Sequence, residues 1–251
     1  MNPVKLLGAD VDPLTIAELN AVIEEDISNG ERWLIANHNL HSIYLYHHDP
    51  KMREYYKRAK VIHIDGMPLL QWGRLMGYHL DQAHRVTYLD WLYPLLKESR
   101  QKGWRVFYLG GKPGVAEKAA QILTDQLPGL QVRVYHGYFT EKEKQHILNE
   151  IAGFQTQILM VGMGMPFQEH WVLDNLESLK VNAILNAGAC FDYVAGAVPA
   201  PPRWMGRIGF EWLYRLMSEP GRLAKRYLWE PWFLIPHMVK DMVFYYRRDM
   251  Q

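Results

Sequence analysis

A single cysteine, Cys190, stands among the 251 residues, so no disulfide forms within the chain and a reducing compartment is the expected setting. No uncharged apolar run approaches the ~20 residues a membrane-spanning helix needs. The best candidate in the tail, Trp232 to Val239, is short and carries Pro236 and His237. No long apolar stretch follows Lys5, so no signal peptide is expected. The formal net charge is only +1, which gives no nucleic-acid signature. Gly-x-Gly-x-x-Gly, the P-loop run and His-Glu-x-x-His are all missing, although there are eleven histidines. Disulfide-stapled modules, spanning proteins, P-loop enzymes and zinc proteases are thereby set aside.

What is present is uneven. From Arg203 onward nine Lys and Arg face five acids, a balance of +4, which leaves −3 on the preceding 202 residues. The same stretch holds Trp204, Trp212, Trp229 and Trp232, four of the nine tryptophans. Phe210, Leu213, Leu216 and Met217 recur there at helical spacing, with Arg207, Glu211, Arg215 and Glu219 on other faces. Basic, aromatic and amphipathic together is the composition of a segment lying in a membrane interface. A helix packed on the core, its arginines capping carbonyls, is the alternative.

Before that tail, short apolar runs alternate with helical patterns. Leu34-Ile35-Ala36, Val61 to Ile64, Val106 to Leu109, Val132 to Tyr135, Ile158 to Val161 and Ala183-Ile184-Leu185 read as strands covered on both faces. Thr15-Ile16-Ala17-Glu18 is a capping box opening a helix that stops at Asn29-Gly30. Further helices are expected at Ala116 to Gln126 with Pro113 in the first turn, at Glu141 to Ala152, and at Phe167 to Leu179. This alternation predicts an α/β fold with a Rossmann-like parallel sheet, helices on both faces and ligand loops at the strands' carboxyl ends. Residues 1–198 form the α/β unit and 199–251 a basic amphipathic appendage, divided at Pro199-Ala200-Pro201-Pro202.

The loops carry the candidate chemistry. In Val161 to Glu169 a strand ends in Gly162 and Gly164, and Pro166 then starts a helix with Gln168 and Glu169 in its first turn. Free amides there suit phosphate oxygens, and Gln168 offers donors and an acceptor to a diphosphate or sugar. Gly110-Gly111, the loop at Tyr138, and Asn186 with Gly188 and Asp192 end other strands; each alone also reads as an ordinary turn. Asp65 follows a strand and suits a general base or a helix N-cap. Asn37 and Asn39 face the same cleft, and Arg85 suits either leaving-group charge or a surface ion pair. Asp10-Val11-Asp12 spells the metal-binding Asp-x-Asp of some sugar transferases, but before Pro13 and the Thr15 capping box it reads as a helix entry. Cys190, among small apolar residues, reads as a core filler.

Taken in order, Asn37-His38-Asn39, Asp65-Gly66, Arg85-Val86-Thr87, Leu109-Gly110-Gly111, Gly137-Tyr138-Phe139, the run from Val161 to Glu169, Gly188 to Asp192 and Glu211-Trp212-Leu213-Tyr214-Arg215-Leu216 with Glu219-Pro220 and Arg222 resemble the WecG/TagA/CpsF glycosyltransferases, glycosyltransferase family 26. The resemblance covers nearly the whole chain. It implies inverting transfer of a hexose or N-acetylhexosamine-type sugar from a UDP-sugar, with no metal or other cofactor, to an undecaprenyl-diphosphate-linked sugar. Such a step serves cell-surface polysaccharide or teichoic acid synthesis at the inner face of the cell membrane.

On that resemblance Asp65 is the general base, with Asn37, Arg85 and Gln168 as further catalytic positions. Asn39, Gly110, Gly111, Tyr138, Gly162, Gly164, Gln168, Glu169, Asn186, Gly188 and Asp192 form the UDP-sugar site. Arg203, Arg207, Arg215, Arg222 and Arg226 serve membrane and acceptor. Asn37 stands where the family has Thr, and Pro199-Ala200-Pro201 replaces its Arg-Ala-Pro, so a basic contact is moved or lost there. A homo-oligomer fits the family's tendency to self-associate. A nucleotide-sugar oxidoreductase or epimerase, and a membrane-docked binding protein without activity, are the competing expectations.

Overall fold

The computed structural model describes residues 3–249; Met1, Asn2, Met250 and Gln251, counted in the two predicted units, lie outside the described residues. The chain opens on a hairpin, β1 (Val4–Leu6) and β2 (Ala9–Val11), turned by Leu7 and Gly8 at φ 53° and 79°. Positive φ at both turn residues matches the right-handed twist of two strands. The helix-entry reading of Asp10-Val11-Asp12 is corrected here: Asp10 and Val11 belong to β2. Asp12 Oδ2 accepts from Ile62 N–H at 2.7 Å, tying the hairpin to the sheet.

Thr15 then caps α1 (Ile16–Asn29) as expected, with Glu18 completing the box and Gly30 ending the helix in the left-handed region. There follow β3 (Trp33–His38), α2 (Leu40–His48), α3 (Pro50–Lys57), β4 (Ala59–Ile64), α4 (Met67–Leu75) and α5 (Tyr88–Lys102). The chain continues with β5 (Arg105–Gly110), α6 (Val115–Gln126), β6 (Gln131–Tyr135), α7 (Lys144–Gly153), β7 (Ile158–Gly162), α8 (Phe167–Asn175), β8 (Ala183–Asn186) and α9 (Cys190–Val194). All six expected strands form. Two helices differ at their ends: 141–143 is a 3-10 turn ahead of α7, and 176–178 a 3-10 turn after α8. Pro113 is not in a first helical turn, because Gly114 at φ 81° is the cap and Pro113 belongs to the preceding turn.

The six strands pair in parallel in the order β4-β3-β8-β7-β5-β6. The chain builds β3 and β4, crosses to β5 and β6, and returns through β7 and β8 to fill the gap. Alternate side chains sort cleanly between faces. Ile35, Val106, Met160 and Leu185 pack under α1, α5 and α6, whereas Leu34, Phe107, Leu159 and Ile184 pack under α3, α7 and α8. A parallel sheet with both faces covered is the Rossmann-like α/β arrangement, and its ligand edge is the row of carboxyl ends.

From Arg203 the chain lays short helices across that edge: α10 (Arg203–Ile208), α11 (Glu211–Ser218) and α12 (Pro220–Ala224). A π-helical turn (Lys225–Trp229) and a 3-10 turn (Glu230–Leu234) lead into α13 (Ile235–Asp249). This appendage is fastened to the hairpin and α4. Asp241 Oδ2 accepts from Leu7 N–H at 2.7 Å and from Trp72 Nε1–H at 2.9 Å, and Leu234 is buried with Leu6, Leu7 and Leu70. The His237 ring stacks on His47 at 3.7 Å, and Glu230 meets His41 at 2.5 Å. Among the described residues no helix is long and apolar enough to cross a membrane.

Candidate active site

Asp65 follows β4 at the ligand edge. The residue that caps α4 is Gly66, at φ 96° and without a side-chain cap bond, so the N-cap alternative for Asp65 falls and its carboxylate is left to the cavity. One hydrogen bond holds it: Asn39 Nδ2–H donates to Asp65 Oδ2 at 3.1 Å. Asn39 itself is fixed because its Oδ1 caps α2 through Ser42 N–H at 3.1 Å. Loss of hydration pushes the Asp65 carboxyl up, while Asn39 and the charges of Arg215, Arg226 and Arg85 hold it down.

The cavity in front of Asp65 is walled by the body on one side and by the appendage on the other. Asn39, Asp65, Arg85 and Thr87 come from the loops after β3 and β4 and before α5; Glu211, Arg215 and Arg226 come from the tail. Arg85 is buried, not a surface ion-pair partner. Its Nη2–H donates to Asp90 Oδ2 at 2.8 Å, and its Nε is buried without a hydrogen-bond partner. Nε of Arg215 and of Arg226 is likewise buried and unpartnered. Cationic donors that lack partners beside a half-buried carboxylate are the groups an anionic substrate would satisfy.

The glycine turns lie further along the edge. At Gly110 and Gly162 the protein's own packing requires glycine. A Cβ on Gly162 would stand 2.2 Å from the Tyr108 hydroxyl and 2.4 Å from the Gly188 carbonyl, and one on Gly110 2.3 Å from the Gly162 carbonyl. These two let neighbouring strand ends close on each other. Gly111, Gly164 and Gly188 have positive φ, and Gly164 and Gly188 face open space. Asp192 stands 3.8 Å from where a Cβ on Gly111 would be. Burial pushes its carboxyl up, and Lys112 and Arg222 oppose the shift. Tyr138 is exposed on the loop after β6.

Gln168 and Glu169 are both buried, and their contacts run inward. Gln168 Oε1 accepts from Gly164 N–H at 3.1 Å, and its Nε2–H donates to Glu169 Oε1 at 2.8 Å. Asn186 Nδ2–H donates to the same oxygen at 2.9 Å. Gln168 thus braces the Gly164 turn from behind, with its carboxamide engaged within the protein. Asn37 is buried in β3 with its Oδ1 unpartnered. Burial pushes the Glu169 carboxyl up to about 7.

The sequence therefore grouped residues that the fold divides into three stations. Asp65, Asn39, Arg85, Arg215 and Arg226 share one cavity. Gln168, Glu169 and Asn186 form a buried brace. Gly111, Gly188 and Asp192 line the turns beside β5 and β8. Of the tail arginines, Arg203 pairs with Asp90, Arg222 with Glu219 at 2.7 Å, and Arg207 lines a shallow hollow beside Arg85 and Asp90. Glu211 and Trp212 also line the Asp65 cavity, although the sequence reading left them out of the site. The signal was present: Glu211 and Arg215 are four apart and so share one helix face. Among the described residues no group of three or more His, Cys, Asp or Glu is arranged to hold a metal ion.

A parallel α/β sheet whose carboxyl edge carries glycine turns, a half-buried carboxylate and a cationic cover is an α/β ligand edge suited to an anionic substrate. A model of the glycosyl transferase WecG/TagA/CpsF family matches residues 4–248, and the chain belongs to that family. It is accordingly a glycosyltransferase.

Proposed function

We propose that the protein transfers a hexose or N-acetylhexosamine-type sugar from a UDP-sugar to a polyprenyl-diphosphate-linked sugar, with inversion and without a metal. Asp65 takes the proton from the acceptor hydroxyl, which attacks the anomeric carbon as the bond to UDP breaks on the opposite face. Arg85, Arg215 and Arg226 offset the charge gathering on the departing diphosphate. The turns at Gly111, Gly164 and Gly188, with Asp192, receive the nucleotide end. Arg222 and Glu219 act electrostatically on Asp192 while Arg215 acts on Asp65, so one run of the appendage reaches both ends of such a donor. The observation that carries this reading is Asp65 itself: a carboxylate held by a single hydrogen bond in a cavity walled by three arginines.

The appendage also supports work at a membrane face. The charged side of α11, Glu211 and Arg215, turns to the cavity, whereas Phe210 and Met217 at its borders are exposed. Trp204, Trp229, Trp232 and Phe244 are exposed as well. A helix turning charge inward and apolar surface outward suits an interface with lipid. The test is transfer from a panel of radiolabelled UDP-sugars to a short-chain prenyl-diphosphate-sugar, with and without anionic vesicles. Product from at least one UDP-sugar, increased by vesicles, is expected; no product from any, with NAD bound instead of UDP, overturns the reading.

A further inference from the structure

The Asp65 cavity holds a second carboxylate that the reaction as proposed leaves idle. Glu211 opens α11 and lines the cavity with Arg215 one turn on. Its Oε2 lies 3.3 Å from where a Cβ on Gly206 would stand, and Arg85 Nη1 lies 3.8 Å from that point. The appendage carboxylate and the body guanidinium therefore crowd the same glycine. Arg85 and Arg203 are both taken by Asp90, and among the described residues Glu211 has no ion pair of its own. Arg85, 8% exposed and with an unpartnered Nε, marks this wall as built for a ligand.

We propose that Glu211 is a positioning residue for the Asp65 base: from the wall of the cavity they share, its charge raises the base's affinity for a proton. The inference rests on the reading of Asp65 as general base. Two carboxylates that share a poorly hydrated cavity resist ionising together. Asp65 faces Asn39 and His41 from α2, Arg85 from ahead of α5, Arg215 from α11, and Arg226 and Tyr227 from the π-helical turn, with Glu230 beyond His41. Tyr56 and Tyr88 also sense its charge. Glu211 faces Asp65, Arg215, Arg85 and Arg203, and Tyr193 from α9.

Burial pushes the Asp65 carboxyl up and the three arginines hold it down. Among the described residues Glu211 is the other carboxylate lining that cavity, and a charge there would act against the arginines. Burial and then Asp65 push the Glu211 carboxyl up, as a shared field requires.

The experiment is the pH profile of transfer kcat/KM for wild type, Glu211→Gln, Glu211→Ser, Glu211→Asp and Asp65→Asn. The acidic limb reports the base of the free enzyme. Both neutral variants should move it to lower pH, by about half to one unit, with a several-fold lower plateau; Glu211→Asp should keep the wild-type limb. Two neutral side chains of different size keep the test sound if one folds poorly. An unmoved limb in both, with only KM changed, overturns the role of Glu211. Asp65→Asn at wild-type turnover removes the base reading itself, and this inference with it.

Discussion

The body and the appendage obey opposite rules. Up to β8 the chain hides its apolar side chains between sheet and helices, and among the described residues its exposed large hydrophobics are five: Trp33, Leu75, Tyr93, Tyr138 and Phe167. From Arg203 onward fourteen are exposed among the described residues, while Arg215, Arg226 and Glu230 turn inward. A segment built this way is unsuited to water on its outer side and unsuited to an empty cavity on its inner side. The body supplies the sheet edge and the Asp65 carboxylate; the tail supplies arginines toward the cavity and an apolar face outward. Each half is incomplete without what lies between or beyond them.

The sharpest break in that comparison is Asp65→Asn. It keeps the shape and the Asn39 contact, and removes the body carboxylate that faces Arg215 and Arg226. Turnover should fall on the order of a hundredfold or more, with UDP affinity and the melting curve nearly unchanged. Equal losses of turnover and UDP affinity would move Asp65 from the chemistry to the cradle. On the tail, replacing Trp229 and Trp232 together by Ser should weaken sedimentation with anionic vesicles on the order of tenfold or more. Trp33→Ser, at the amino end of β3 on the opposite edge, should leave vesicle binding alone. Equal effects from both would dissolve the contrast between the two regions.

Much of this was legible. Most of the strands announced themselves as apolar runs, because a sheet covered on both faces permits little else, whereas the edge strand β6 showed as Val132, Val134 and Tyr135 around Arg133. The hairpin was missed although Val4-Lys5-Leu6 and Ala9-Asp10-Val11 alternate around a two-residue turn, since the Thr15 capping box drew Asp10 and Asp12 into the helix that follows. The helices α2 to α5 passed unread: α2 is rich in His and Tyr, whose apolar side shows only once His38, Tyr46 and Tyr56 pack on one another. Site residues were legible by type and not by orientation. Nothing in Gly162-Met163-Gly164 says that the first glycine closes on Tyr108 while the second faces outward. Nor does the composition of α11 say which of its faces points in.

The buried brace offers a gentler test of the body's rigidity. The Glu169 carboxyl, pushed up to about 7 by burial from an ordinary value of 4.5, favours the protonated form in the folded state. Its contribution is therefore full below about pH 4.5 and is lost as pH rises through 7. Urea unfolding of wild type should show stability falling across that window by on the order of 1–3 kcal/mol. Glu169→Gln, which cannot ionise, should flatten that part of the profile. A wild-type profile that rises through the window would show that Glu169 is ionised in the folded protein.

The smallest effect expected is at Asn39, where scaffold and site meet in one side chain. Its oxygen caps α2 and its nitrogen holds Asp65. Asn39→Asp keeps an oxygen for Ser42 N–H, so stability should change by less than about 1 kcal/mol. It removes the donor that holds the Asp65 carboxyl down and adds a like charge beside it, and both raise that carboxyl. The acidic limb of kcat/KM should then move to higher pH, opposite in sign to the shift expected for Glu211→Gln. Asn39→Ala should instead cost about 1 kcal/mol through the lost cap, with a smaller movement of the limb. If Asn39→Asp left the limb in place while Asn39→Ala destabilised the fold, Asn39 would belong to the body alone, and the base would be tuned from the appendage side only.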